Sequence, residues 1–176
     1  MNSLRHRTAT TALAGALGLW AAVAQACDDE AVPIFACEVA NGRKFIELCA
    51  PPPSAAEDDF LVYRFGLLGK DGAAEKVELE FPSRPEGSMQ RFYGATYTHR
   101  GVYTQSVRFV SGHFGYTVFT RAQGSRELNA GVEVHDRESG RRRVISCGER
   151  PRFYIFDLAG RVPCDPETPV GKACVK

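Results

Sequence analysis

Six cysteines carry the chemistry that spacing defines best: Cys27, Cys37, Cys49, Cys147, Cys164 and Cys174. A zinc site takes paired cysteines two to four residues apart. The closest pairs here are ten apart, and no histidine lies near Cys37 or Cys49. A redox-active thiol would sit in a Cys-x-x-Cys motif, and there is none. An even number of cysteines at these spacings reads as disulfides, with no metal and no cofactor.

The other reactive side chains are sparse. Past residue 26 the histidines are His99, His113 and His135. Ser111-Gly112-His113 places a hydroxyl two residues from an imidazole, but no nucleophile-elbow pattern surrounds it. Asp28-Asp29-Glu30 and Glu57-Asp58-Asp59 lack the alternating oxygens and internal glycine of a calcium loop, and read as solvated loops. Glu78 and Glu80 share a strand face and could form a carboxylate pair, although outward acids on a strand are ordinarily surface. Tyr93, Tyr97, Tyr103 and Tyr116 supply aromatic area for a binding face, with about half of them expected to pack inward. No catalytic set emerges.

Residues 1–26 read as a secretory signal. Arg5, His6 and Arg7 open it, a stretch of apolar, small and threonine residues follows, and Ala24-Gln25-Ala26 ends it before Cys27. The strongly apolar core is nearer fourteen residues than the ~20 a membrane span needs. A lipid on Cys27 is the one route by which the chain would meet a membrane. Removing residues 1–26 leaves 150, one domain by length. A periplasmic or secreted location follows.

Charge is uneven. Cys27 to Gln90 holds 13 acids and 6 bases, net −7, and Arg91 to Lys176 holds 8 acids and 14 bases, net +6. Two halves that attract each other within one fold account for this; a dipolar surface with an acidic face for a basic partner is the sharper alternative. Arg141-Arg142-Arg143 is the only basic run, and nothing resembles a nucleic-acid module.

The elements that must position these residues are strands. Asn41-Gly42 between alternating runs is a hairpin signal, because a tight primed turn needs positive φ. With those residues at the tip, Cys37 faces Ile46 and Cys49 faces Ile34. Cys37 and Cys49 then point to opposite faces of the ribbon, so each must reach outside it. Cys147, ending a later strand, suits one of them, and Cys27 suits the other. Cys164 and Cys174 bracket a Pro-rich tail and are expected to bond to each other, worth about 3 kcal/mol in the chain-entropy model. Further strands are expected over 60–65, 77–81 (Val77, Leu79 and Phe81 inward), 91–98, 102–110, 116–120, 132–135 and 143–147. Residues 152–158 read as a strand or a short helix. About nine short strands with close turns and no helical period predict an all-β, single-domain antiparallel barrel or sandwich, disulfide-stapled, over 27–158, with 159–176 as a disulfide-closed tail.

The landmarks together resemble a group of small exported bacterial proteins of unassigned function. They are Cys27, Phe35-Ala36-Cys37, Asn41-Gly42-Arg43-Lys44, Leu48-Cys49, Tyr63-Arg64-Phe65-Gly66, Ser106 to Phe109, Gly115 to Val118, Ala130 to Val134 and Cys147. Ser111-Gly112 with Tyr116 is similar, more weakly, to the protruding loop of periplasmic lysozyme inhibitors, whose tyrosine sits closer. That similarity implies a non-enzymatic envelope domain that binds a protein partner, a basic cell-wall hydrolase, through the loop at Ser111. Ser111, Gly112, His113 and Tyr116 become candidate binding residues through this resemblance of their loop to a known binding loop, not through spacing. A small-ligand carrier or small enzyme with a site inside the barrel is the alternative. A filled core with an exposed loop at Ser111 to Tyr116 favours the first; a large internal cavity lined by His113 or His135 and a carboxylate favours the second.

Overall fold

A computed structural model of the chain describes Cys27 and residues 31–40, 42–52, 59–148, 151–158 and 160–168, with the backbone alone for 126–128 and 156–157. The expected signal at 1–26 lies outside the described residues, as does Cys174. Among the described residues ten strands form two antiparallel five-stranded sheets. The first contains β1 (Val32–Glu38), β2 (Lys44–Ala50), β3 (Val62–Leu68), β4 (Ala74–Phe81) and β10 (Arg152–Phe153), in the order β10-β1-β2-β3-β4. The second runs in sequence order through β5 (Tyr93–His99), β6 (Val102–Ser111), β7 (Phe114–Gln123), β8 (Arg126–Asp136) and β9 (Arg142–Ser146). The sheets stack as a sandwich and do not close into a barrel. They meet at one corner, where Val39 bridges Cys147.

The turns follow local chemistry. Arg100 (φ 50) and Gly101 (φ 77) form a two-residue loop with both central residues in the left-handed region, the primed geometry that suits strand twist. Strand β4 stops at Phe81 because Pro82 has no N–H to continue the ladder. Two hairpins differ from expectation. The turn expected over Ser111 to Gly115 is only Gly112-His113, with Ser111 paired to Phe114. A further two-residue loop at Gly124-Ser125 joins β7 to a long β8, where the sequence shows only 132–135 as strand. Residues 152–158 hold both expected forms, a two-residue strand and the 3-10 helix Ile155–Leu158.

The expected pairing of Cys37 with Ile46 holds, while Cys49 pairs with Pro33 rather than Ile34, because the β1–β2 register shifts between Pro33 and Phe35. The two cysteines still face opposite ways. Cys37 packs against the core and bonds to Cys147 across the sheets, and Cys49 bonds to Cys27. Cys164 is also disulfide-bonded. Leu79 and Phe81 turn inward as expected, but Val77 is 42% exposed. Register shifts in the β3–β4 pairing between Phe65/Gly66 and Leu67/Leu68 rotate this end of β4 away from the core.

Between the sheets lies an aromatic cluster. Phe109 stacks on Phe81 (4.6 Å between centroids) and on Tyr116 (4.9 Å), and Tyr63 and Phe92 tilt against it. Ile46, Leu48, Leu61, Val107, Val118 and Val132 complete a fully buried centre. The tail is fixed to the outer face of the second sheet. Arg108 on β6 holds Asp165 through paired bonds of 2.8–3.0 Å and lies over the Tyr93 ring, and Gly94 pairs with Cys164. Burial works against the Arg108 charge, but Asp165 and Glu167 outweigh it and raise its pKa further.

Candidate functional site: a cleft between the sheets

The aromatic core does not fill the sandwich to its end. Beyond Tyr63 and Tyr116 the sheets part around a cleft of about 640 Å³. Tyr63, Phe65 and Leu79 line it from the first sheet, Phe114, Tyr116 and Val134 from the second. This size falls within the range of small-molecule sites, roughly 300–1,000 Å³.

Strand alternation explains the mouth. Val132 pairs with Ile145, Val134 with Arg143, and the Asp136 N–H donates to the Arg141 carbonyl. Directly opposed residues share a face, so Arg141, Arg143 and Ile145 lie on the same inward-looking side as Val132, Val134 and Asp136. An inward row that begins apolar ends in two arginines. Arg142, on the opposite side, bonds Glu133 at 2.6 Å. Arg141 donates to the Ser139 hydroxyl at 3.2 Å, and among the described residues no carboxylate pairs with Arg141 or Arg143. The Asp136 carboxylate accepts bonds from the Ser139 hydroxyl and the Ser139 and Glu138 N–H groups, which with the charge of His113 hold its pKa below the usual value.

The interior holds two phenols. Tyr63 is 1% exposed. Burial, with the neighbouring Tyr116, pushes its pKa far above the ordinary phenol range, and burial raises that of Tyr116. Among the described residues neither hydroxyl has a hydrogen-bond partner, and both tyrosines line the cleft.

The four residues singled out from sequence are divided. Gly112 (φ 59) and His113 are exposed at the β6–β7 tip, with Ser111 at its base. The His113 carbonyl accepts the Arg137 N–H at 2.9 Å, and its ring lies 4.0 Å from that of Phe114. Tyr116 is not at the tip: its ring enters the cleft and stacks on Phe109. Among the described residues no imidazole of His99, His113 or His135 bonds a serine or a carboxylate. Glu78 and Glu80 are bound to Lys44 (2.6 Å) and Arg64 (2.8 Å), so they do not act as a pair. Asp59 bonds Arg161; Asp28 to Glu30, Glu57 and Asp58 lie outside the described residues. Cys27, Glu47 and Cys49 come together, but both sulfurs are in the disulfide and offer no thiolate to a metal. For the same reason the Cys27 sulfur, so bonded, has no valence for a lipid thioether. Tyr63, Phe65, Phe114 and Arg143 were not foreseen as site residues. The available signal was the arginine run, which breaks the apolar-inward alternation leading up to Ile145.

No protein-family model, curated protein or solved structure matches this chain. Two described disulfides suit an oxidising, extracellular-type environment. Among the described residues no helix is long and apolar enough to cross a membrane.

Proposed function

We propose that the chain is an exported, non-enzymatic binding domain that holds a small apolar ligand in the cleft between its sheets. The observation that carries this is the apolar cleft of about 640 Å³ between the sheets, lined by Tyr63, Phe65, Leu79, Phe114, Tyr116 and Val134. A ligand seated there takes the apolar lining out of water, at roughly 25 cal/mol per Å² covered, and meets the Tyr63 and Tyr116 side chains on the cleft wall. Titration of the oxidised 27–176 chain with the neutral fluorophore N-phenyl-1-naphthylamine tests the reading. Saturable one-site enhancement, lost in Val134→Trp with an unchanged melting temperature, is expected. No saturable enhancement, or equal binding by the filled variant, would overturn it.

A second reading, engagement of a basic cell-wall hydrolase, is favoured by the exposed Gly112-His113 tip. It predicts that the mature protein inhibits a lysozyme and that His113→Ala weakens inhibition. A panel of lytic enzymes left fully active would remove it.

A further inference from the structure

We infer that the cleft takes an amphipathic carboxylic acid, its apolar body among Tyr63, Phe65 and Val134 and its carboxylate at Arg143 and Arg141. The inference rests on the cleft being a ligand site and adds the ligand's charge and orientation. Three arginines and one aspartate line the cleft. Arg142 is neutralised by Glu133, and the Asp136 oxygens are turned into the Glu138-Ser139 loop. Arg141 and Arg143 are left facing Asp136, with one positive charge in excess, which matches a single anion. A guanidinium receives a carboxylate through two parallel bonds, and partial desolvation at a cleft mouth strengthens them. The register puts Arg143 on the same side of β9 as Ile145, and its exposed side chain lines the cleft at the mouth. Among the described residues the cations that line the cleft are Arg141, Arg142 and Arg143 at its mouth, so the charged group lies there and the apolar body inside.

The test compares ligands that differ only in the head group. Oleate, oleyl alcohol and oleylamine, each at submicellar concentration, displace N-phenyl-1-naphthylamine from the oxidised chain. Oleate is expected to bind about tenfold tighter than the alcohol at low salt, the difference one charged bond supplies, with the amine weakest. Arg143→Gln is expected to bring oleate level with the alcohol while leaving the alcohol unchanged. Arg100→Gln, at the distant β5–β6 turn, is the control and should retain the preference. Salt at 1 M, where screening falls to about 3 Å, should narrow the gap. Alcohol and acid binding alike, or an Arg143→Gln variant that keeps the preference, would overturn the charge inference and leave the cleft reading standing. Failure of all three ligands to displace the fluorophore would overturn the inference, and failure of the fluorophore itself to bind would overturn both.

Discussion

Tyr63 joins the core to the cleft. Its ring packs against Phe109 at 4.9 Å, and its hydroxyl has no partner among the described residues. The hydroxyl opens on the cleft and makes no hydrogen bond within the described chain, so Tyr63→Phe should leave the denaturant midpoint nearly unchanged, whereas a clear loss would mean the hydroxyl is bonded. The pH dependence follows from the direction of its shift. A phenol whose folded pKa lies above its unfolded value keeps its proton longer in the native state. Its contribution is whole below pH about 10 and is lost as pH rises beyond that. Alkaline unfolding should therefore move to higher pH in Tyr63→Phe, and absorbance at alkaline pH should show Tyr63 ionising only with unfolding. At Asp165 the effect is structural. Asp165→Ala leaves Arg108 buried without its principal partner and should lower stability by about 3–5 kcal/mol, with proteolysis near residue 160 as the accompanying sign; an unchanged melting curve would contradict it.

Among the elements, the hairpins around Gly42, Gly101 and Gly140 were legible because glycine in a short polar loop marks positive φ. The β7–β8 hairpin was not, since Arg121 to Arg126 has no clean apolar alternation. The outward turn of Val77 was hidden too, because it depends on bulges in the pairing with β3. Gly66 sits at one of these: a Cβ there would strike the Lys76 carbonyl and the Phe45 ring. Gly66→Ala should therefore destabilise by more than the fraction of a kcal/mol that exposed glycine sites show, measurable by urea unfolding. The cleft was legible only in part. Arg141-Arg142-Arg143 stood out as a charge run, but its facing inward required the β8–β9 register. Strand β9 is an edge, and inward charges also discourage edge pairing. The two roles separate in Arg143→Glu. A charge that guards the edge remains, so light scattering should give the same mass as the unmodified protein, while oleate binding is lost. Retained binding would assign Arg143 to the edge alone.

For the whole molecule, the acidic half supplies β1 to β4 of the first sheet, and the basic half supplies the second sheet and β10 of the first. Among the described residues, the ion pairs Lys44–Glu78, Arg64–Glu80 and Arg142–Glu133 form within a half, and Arg161–Asp59 crosses between them. Alternation in the Asn41-Gly42 ribbon was enough to separate Cys37 from Cys49. That placed Cys27 and Cys147 as the outside partners, while the choice between them needed the corner where β1 meets β9. The Cys37–Cys147 bond closes a separation of 110 residues and the Cys27–Cys49 bond one of 22. In the chain-entropy model they contribute roughly 4–5 and 3 kcal/mol. Barrel against sandwich was not decidable from strand count, because closure depends on how β4 and β5 lie at the open side.

The most direct test is to follow the backbone amides of the oxidised 27–176 chain by NMR while oleate is added. Saturable shifts at 63–65, 114–116, 134–136 and 141–145, with the β5–β6 turn unchanged, are predicted. Saturable shifts confined to the 111–113 tip, or no saturable shift at all, would contradict a ligand site between the sheets.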